Sequence, residues 1–528
     1  MSGSQSYVSA TCGIDVGTQG VRAVVVAPTG ELLGSGEAGI AGDIRSGVQH
    51  TQPADAWWDA LVGAVGGAVQ TAGPKVEITA LALDATSGTV VVEAADGSPR
   101  GAGLMYDDSR AAEQAARAQS AGSELWTALG YRMQPSWALP KVLWLVDSDV
   151  LGPGDRVVHQ ADHLLRRLTG HVVATDTSHA LKTGVDLRSA AWPEGVFADL
   201  GIALSLLPEV VLPGTVLGAV SAGAAEVTGL PVGTTVRAGM TDGCAAQIAA
   251  RALRPGSWSS ALGTTLVIKG STGGLVHDSS GAVYCHRNPD GGWLPGGASS
   301  VGAGAVREAF PGLDAAGLDR VTAQAAALVP VPGVVYPLTG TGERFPFVAP
   351  SAHGFGLAAV GDGAVGGAVG DGAVDDAARF GAICQGIAYV ERLAYDVLGV
   401  LGADVSGPVS LTGGAARNAW WNQLRADVLG RTTLLPSSGQ AAVGMAVLAA
   451  APAGRLAETA EAMIPATSTF TPDRGRTDAL LPGYRDLIGA LVDRRWLDAD
   501  LAAAVLDRTA PSRVGPPAAG HGSGQGRP

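Results

Sequence analysis

Apolar residues run almost unbroken through Val8–Val16 and Val21–Ala27, and a third, weaker run covers Glu31–Ala38, with short Gly/Pro turns between them. Runs of that length bounded by turn residues predict three strands joined as an antiparallel meander. From about Pro53 to Thr71 the spacing changes: Trp57, Trp58, Leu61 and Val65 recur every three or four residues, and Thr51 stands where an opening cap is expected. That is the period of a helix with one apolar face. Strand character returns at Val76–Asp84 and again at Thr89–Ala94, which turns at Ala95-Asp96-Gly97. Strands, a helix and further strands in this order predict a mixed α/β domain.

The order then repeats. Ser257–Lys269 reads as strand, turn and strand around Leu262-Gly263-Thr264-Thr265, and Val409–Thr412 reads as a buried strand entering a Gly413-Gly414 turn. Two halves that each open on such a hairpin imply an internally duplicated architecture with a cleft between them. The boundary is placed near 250–256, giving one domain over 8–252 and another over 256–495. A chain of 528 residues is long enough for two cores of ordinary size. Within the second, Gly361-Asp362-Gly363-Ala364-Val365 recurs as Gly370-Asp371-Gly372-Ala373-Val374, so 358–378 is expected to be a low-complexity loop insertion. The Gly/Pro/Ser-rich tail 511–528 is expected to be disordered.

Thirty-five basic and 48 acidic residues leave a net charge of −13, and no Lys/Arg-rich run occurs. A nucleic-acid or anionic-membrane surface is therefore not expected, and an anionic ligand must be met by local devices. The four cysteines (Cys12, Cys244, Cys285, Cys384) are far apart and form no CxxC, which fits a reduced compartment. No stretch of about 18 apolar residues reads as a membrane span, and no secretory leader is recognised, so a cytoplasmic protein is expected.

Candidate chemistry starts at the first hairpin. Asp15 ends an apolar strand, Gly17 and Gly20 allow backbone amides to approach anionic oxygens, and Thr18 and Gln19 add side-chain donors at the bend. An acid beside a phosphate needs a hard cation between them, so Asp15 implies magnesium held through oxygen ligands and water. An aspartate that only satisfies turn amides is the alternative. Asp242, within Ala238-Gly239-Met240-Thr241-Asp242-Gly243-Cys244, stands where a strand gives way to a helix at the domain boundary. A carboxylate there can accept a proton from a hydroxyl attacking a phosphate, or can simply cap the helix. Gly413-Gly414 allows a base or phosphate to lie close to the backbone. His159 and His163 share a helix face, but the intervening residues Gln160-Ala161-Asp162 lack a metallopeptidase glutamate, and a capped helix start is the better reading. Two GxGxxG matches, at Gly34 and Gly361, are what 77 glycines produce by chance, and no P-loop is present.

In this order and spacing the segments resemble the FGGY carbohydrate kinases, the sugar-kinase branch of the two-domain actin/Hsp70-like ATPase (ribonuclease H-like) fold, over about residues 8–490. Gly13-Ile14-Asp15-Val16-Gly17-Thr18 is similar to their first phosphate motif, Leu262-Gly263-Thr264-Thr265 to the second, and Leu411-Thr412-Gly413-Gly414-Ala415 through Asn418 to the adenosine motif. Leu83-Asp84-Ala85-Thr86-Ser87-Gly88-Thr89, Met105–Arg110, His159–Asp162 and Ala180–Gly184 resemble the D-ribulose kinase, or xylulose kinase-like, group. Xylulokinases proper carry Gln-Met-His-Gly where this chain has Ala85-Thr86-Ser87-Gly88, and the Arg-Glu pair of glycerol kinases is absent. Gln440 stands where many relatives have Glu.

The resemblance implies an ATP- and magnesium-dependent kinase acting on the terminal hydroxyl of a ketopentose, D-ribulose first. Xylulose or a polyol is the alternative acceptor, and a non-catalytic actin-like nucleotide-binding protein is a rival of another class. It further implies that Asp242 is the base and that Asp15 positions magnesium while Thr18 and Gln19 hold the phosphoryl group. Ser87 and Asp242, with Asp108 and Lys182, would contact the sugar. Gly263, Thr264, Thr265, Gly413, Gly414 and Asn418 would line the nucleotide. A monomer or homodimer is expected, with small molecules as its only partners.

Overall fold

The computed structural model describes residues 7–357 and 372–508. The first sheet contains β1 (Val8–Val16), β2 (Gly20–Val26), β3 (Leu32–Gly39), β4 (Val76–Ala85), β5 (Val216–Ala219) and β6 (Thr235–Thr241). Its spatial order is β5-β6-β4-β1-β2-β3. The second sheet contains β7 (Trp258–Leu262), β8 (Leu266–Gly270), β9 (Tyr284–Arg287), β10 (Trp293–Ser299), β11 (Val409–Thr412), β12 (Thr433–Pro436) and β13 (Ala466–Phe470), in the order β9-β10-β8-β7-β11-β12-β13.

The two sheets are built alike. In the first, β3, β2 and β1 pair antiparallel, then β4 and β6 follow parallel to β1; in the second, β10, β8 and β7 pair antiparallel, then β11 and β12 follow parallel to β7. Each sheet then ends on one further antiparallel strand, and the second carries another, β9, beyond β10. The duplication expected from the repeated hairpins is thus a repeat of six strands in one order, with β9 added to the second sheet. Near-continuous apolar runs in the parallel strands follow from burial on both faces.

Helices cover these faces at very short range. The helix α1 (Ala54–Ala72) lies on β2 and β3, where a Cβ at Gly34 or Gly36 would come within 2.3 or 2.1 Å of a carbonyl oxygen of that helix. The glycine pair at 34 and 36 therefore serves strand–helix packing. Thr51 does not open this helix: it lies in the strand Gln49–Pro53, paired with Ile44 and Leu104, and no side chain caps α1. That strand belongs to a five-stranded side sheet with Ile44–Ser46, Val90–Glu93, Ala102–Leu104 and Arg156–His159.

Two helices join the halves. α2 (Asp242–Ala249) leaves β6, and α3 (Ala441–Ala450) comes after β12. The α3 sequence, AAVGMAVLAA, is apolar all round, as a helix buried on every side must be. A Cβ at Gly13 of β1 would sit 1.8 Å from the Ala442 carbonyl oxygen, and one at Gly444 would sit 2.1 Å from that of Ala245. Thr11 Oγ1 also donates to the Ala446 carbonyl at 2.8 Å. The division at 250–256 separates the strands of the two sheets, whereas α3, from the later half, packs on the earlier sheet.

The insertion expected over 358–378 is shorter than its repeat suggested. Helix Gly372–Val400 takes up its last residues, with Ala377 buried, and 358–371 lies outside the described residues, as does the tail 511–528. All four cysteines are free and buried. Among the described residues no helix is long and apolar enough to cross a membrane.

Candidate active site

The parallel strands bring their carboxyl ends together, and in open α/β sheets ligands bind at that edge. Asp15 of β1 faces Asp84 of β4 in register, and Asp84 faces Met240 of β6, two residues before Asp242. Three carboxylates from segments roughly 70 and 160 residues apart in sequence thereby share one sheet edge. Asp242 is exposed at the first turn of α2, with its Oδ1 accepting from the Gly243 amide at 2.6 Å. Thr241, and not Asp242, holds the N-cap position.

Charge at this edge is poorly compensated. Burial pushes the Asp15 carboxyl above its ordinary value; Asp84 and the Arg22 guanidinium, 3.6 Å away, pull it back, and Asp242 pushes it further up. Asp84 is fully buried and neither of its oxygens has a hydrogen-bond partner of normal geometry. Burial, then the charges of Asp15 and Asp242, hold its carboxyl well above the carboxylate range. A hard divalent ion fits the donor set of this edge. No three His, Cys, Asp or Glu side chains converge among the described residues, so the chain supplies only part of a coordination shell. Magnesium keeps several waters and takes phosphate oxygens, which suits a site with few protein ligands.

Both hairpins present free amides. In the first, the Gly17 amide donates to the Gly20 carbonyl at 3.0 Å; in the second, Gly263 donates to Thr265 at 3.0 Å. The Gly17 and Gly263 amides therefore close the turns, while those of Thr18 and Gln19, and of Thr264 and Thr265, have no backbone acceptor. Thr264 Oγ1 accepts from Arg307 at 3.2 Å. Beyond β11, Gly413 has φ 85° and no room for a Cβ, which would lie 2.5 Å from the Leu262 carbonyl oxygen, whereas Gly414 faces open space. Asn418 caps helix Ala419–Leu429 by accepting from the Trp421 amide, and its Nδ2 donates to Thr322 Oγ1, so its first duty is to fix that helix.

The turn Thr86–Thr89 follows β4, the strand that lies between β1 and β6, at the same sheet edge. Lys182 Nζ donates to the Ser87 carbonyl at 2.9 Å, and buried Lys141 donates to the Gly88 carbonyl at 2.9 Å and to Met105. Burial, assisted by Lys182, lowers the Lys141 amine to about 7. Ser87 and Lys182 are thus placed together. Asp108 is not: its fully buried carboxylate is taken up by the Arg110 guanidinium and by the amides of His50 and Arg110. The expectation that Asp108 contacts a sugar is corrected on that ground.

His159 and His163 hold no metal geometry among the described residues. His159 forms a capping box with Asp162 and also meets Thr175 and Thr183, while His163 meets Glu93. Behind Asp242, the Ser178 hydroxyl accepts from the Thr241 amide at 3.1 Å and meets Thr241 Oγ1 and His286 Nδ1. His286 is kept neutral, its basicity lowered by burial and then by Lys269 and Lys182. Sequence reading gave no role to Lys269, Ser178 or His286 and named Asp84 only within the segment Leu83–Thr89. The signals available were charges set against apolar runs, Asp84 closing ALAL and Lys269 following LVI.

The model of the FGGY family of carbohydrate kinases, N-terminal domain, matches residues 10–249, and that of the C-terminal domain matches residues 286–453. A protein named xylulose kinase from Streptomyces rubiginosus is 30% identical over 448 residues, covering 83% of this chain and 87% of the relative. The structure of xylulose kinase from Rhodospirillum rubrum superposes with a TM-score of 0.78 at 22% identity, covering 92% of this chain and 98% of that one. That of gluconate kinase from Lactobacillus acidophilus gives 0.77 at 19% identity, covering 95% and 99%.

Proposed function

Because the chain belongs to the FGGY family of carbohydrate kinases, we propose that it transfers the γ-phosphoryl group of ATP to a terminal hydroxyl of a ketopentose, D-ribulose first, with Asp242 as the base. The observation that carries this reading is Asp242 itself, exposed at the start of α2 and beside the Asp15–Asp84 pair. A protein that only bound nucleotide would have no use for an open carboxylate there.

In this reading the sugar hydroxyl gives its proton to Asp242 as its oxygen bonds to the γ-phosphorus, and the bond to the β-phosphate oxygen breaks to release ADP. The amides and hydroxyls of Thr18, Gln19, Thr264 and Thr265 hold the phosphates, and Gly263, Gly413, Gly414 and Asn418 border the nucleotide. Asp15 would hold magnesium, which supplies charge neutralisation between the phosphates. Ser87 and Lys182 would face the sugar from the Thr86–Thr89 turn. Water, being a smaller nucleophile, has to be kept out, and the cleft between the two sheets gives the means.

The preference for D-ribulose rests on Ala85-Thr86-Ser87-Gly88 standing where xylulokinases carry Gln-Met-His-Gly. A second reading, D-xylulose, is favoured by the Streptomyces relative. The deciding measurement is ADP release with D-ribulose, D-xylulose, ribitol, arabitol, xylitol and glycerol. D-Ribulose is expected to give the highest kcat/KM. A lead for D-xylulose transfers the assignment to the second reading, and no stimulation by any acceptor rejects the kinase.

A further inference from the structure

Lys269 is the only charged residue of β8, and its surroundings are arranged to let it through. In the sheet it lies opposite Ser259 and Gly296. A Cβ at Gly296 would come within 2.8 Å of Lys269 Cγ, and one at Gly243 within 3.1 Å of its Cε and 3.7 Å of its Nζ. Glycines at both places leave a channel from the second sheet to the first turn of α2, beside Asp242.

What the ammonium finds there is a poor set of partners. Among the described residues its one hydrogen-bond contact is Cys244 Sγ at 3.6 Å, a weak acceptor for a group with three donors. Burial works against the charge, yet Cys244, Tyr284 and Asp242 outweigh it and keep the amine above the usual lysine value. A half-buried ammonium with donors to spare needs an oxygen that the protein does not provide.

Position decides which oxygen. Lys269 is four residues along an extended strand from Thr265, so roughly 13 Å separates it from the phosphate-facing turn. It therefore stands back from the hairpin tip, near Tyr284 and the neutral His286, whose basicity Lys269 and Lys182 both lower. Lys182, which meets the Ser87 carbonyl, thus shares its surroundings.

We propose that Lys269 is a sugar-contacting residue, delivered from the second sheet between Gly243 and Gly296 to donate hydrogen bonds to an oxygen of the acceptor bound at Asp242. The inference rests on the kinase reading above. It also makes the sugar a bridge: Ser87 and Lys182 hold it from the first half and Lys269 from the second.

The test is steady-state kinetics of Lys269→Met and Lys269→Arg with the best acceptor found for the wild type, alongside ATP hydrolysis without sugar and thermal melting. Lys269→Met is expected to raise the sugar KM about ten- to a hundredfold, the loss of a charged hydrogen bond, with the ATP KM and sugar-independent hydrolysis within twofold of wild type. Lys269→Arg, which keeps charge and donors, should recover part of the loss. Gly243→Ala, which crowds the end of the lysine without removing it, should raise the sugar KM more modestly. An unchanged sugar KM in Lys269→Met, or an equal rise in the ATP KM, overturns the proposal. Should Lys269→Met fail to fold, a wild-type sugar KM in Gly243→Ala with no rescue pattern in Lys269→Arg does the same. A wild type that no acceptor stimulates rejects the kinase reading, and this inference falls with it.

Discussion

The two sheets have one topology and two chemistries. Where β1 carries Asp15 before its glycine turn, β7 carries Ala261; where Asp15 meets Asp84 across the parallel pair, Ala261 meets Thr412. The residue that follows β6 is Asp242, and the one that follows β12 is Ser437. Both halves keep the glycine-closed hairpin with unclaimed amides at its tip, but every carboxylate at the ligand edge belongs to the first. On the kinase reading proposed above, the duplication supplies two equivalent hooks for phosphate and only one half carries the negative charge that metal binding and proton transfer would require. On that reading, two charged edges would repel a nucleotide between them.

Four substitutions probe that asymmetry. Removing the base should have the largest effect: Asp242→Ala is expected to lower kcat by about 10²- to 10⁴-fold, while Ser437→Ala, its counterpart, stays within twofold, both read from sugar-dependent ADP release. Near-normal turnover in Asp242→Ala would remove the functional half of the comparison. Restoring symmetry should do harm of intermediate size. Ala261→Asp places an uncompensated carboxylate beside the second hairpin, and the KM for ATP should rise about tenfold, the cost of one like charge at close range; Ala261→Asn, neutral and of the same shape, isolates charge from bulk.

The smallest effect concerns stability. The folded protein holds Asp84 protonated to higher pH than the unfolded chain does. Above the unfolded pKa of about 3.9, the folded state binds more protons, so stability falls as pH rises through that window. Asp84→Asn removes the term. Its melting temperature should exceed that of the wild type by a few degrees at pH 8, and the gain should vanish towards pH 4. A gain that is independent of pH would show that Asp84 is not held neutral.

Local pattern carried most of the fold and the part of the site that is local. β1, its hairpin and α1 are visible because apolar period and turn glycines act over a few residues. The strand Gln49–Pro53 is not, since its sequence QHTQP has no apolar alternation and pairs only because Leu104 and Ile44 are brought beside it. Asp108 misleads for a related reason: its partner Arg110 is two residues away, and nothing in sequence distinguishes a carboxylate that is already paired. Asp84 and Lys269 depend on registers between strands distant in the chain. The resemblance to FGGY kinases, drawn from the order of motifs, was upheld by the family match over both halves.

The contact between α3, β1 and α2 has a mechanical meaning. Gly13 and Gly444 bring main chain directly against main chain, with no side chain in between to change rotamer and take up a displacement. A joint of bare backbone is a hard bearing that resists compression. Gly13 stands two residues before Asp15 and Ala245 three residues after Asp242, so the carboxylate edge sits directly on that bearing and not at the end of a long arm.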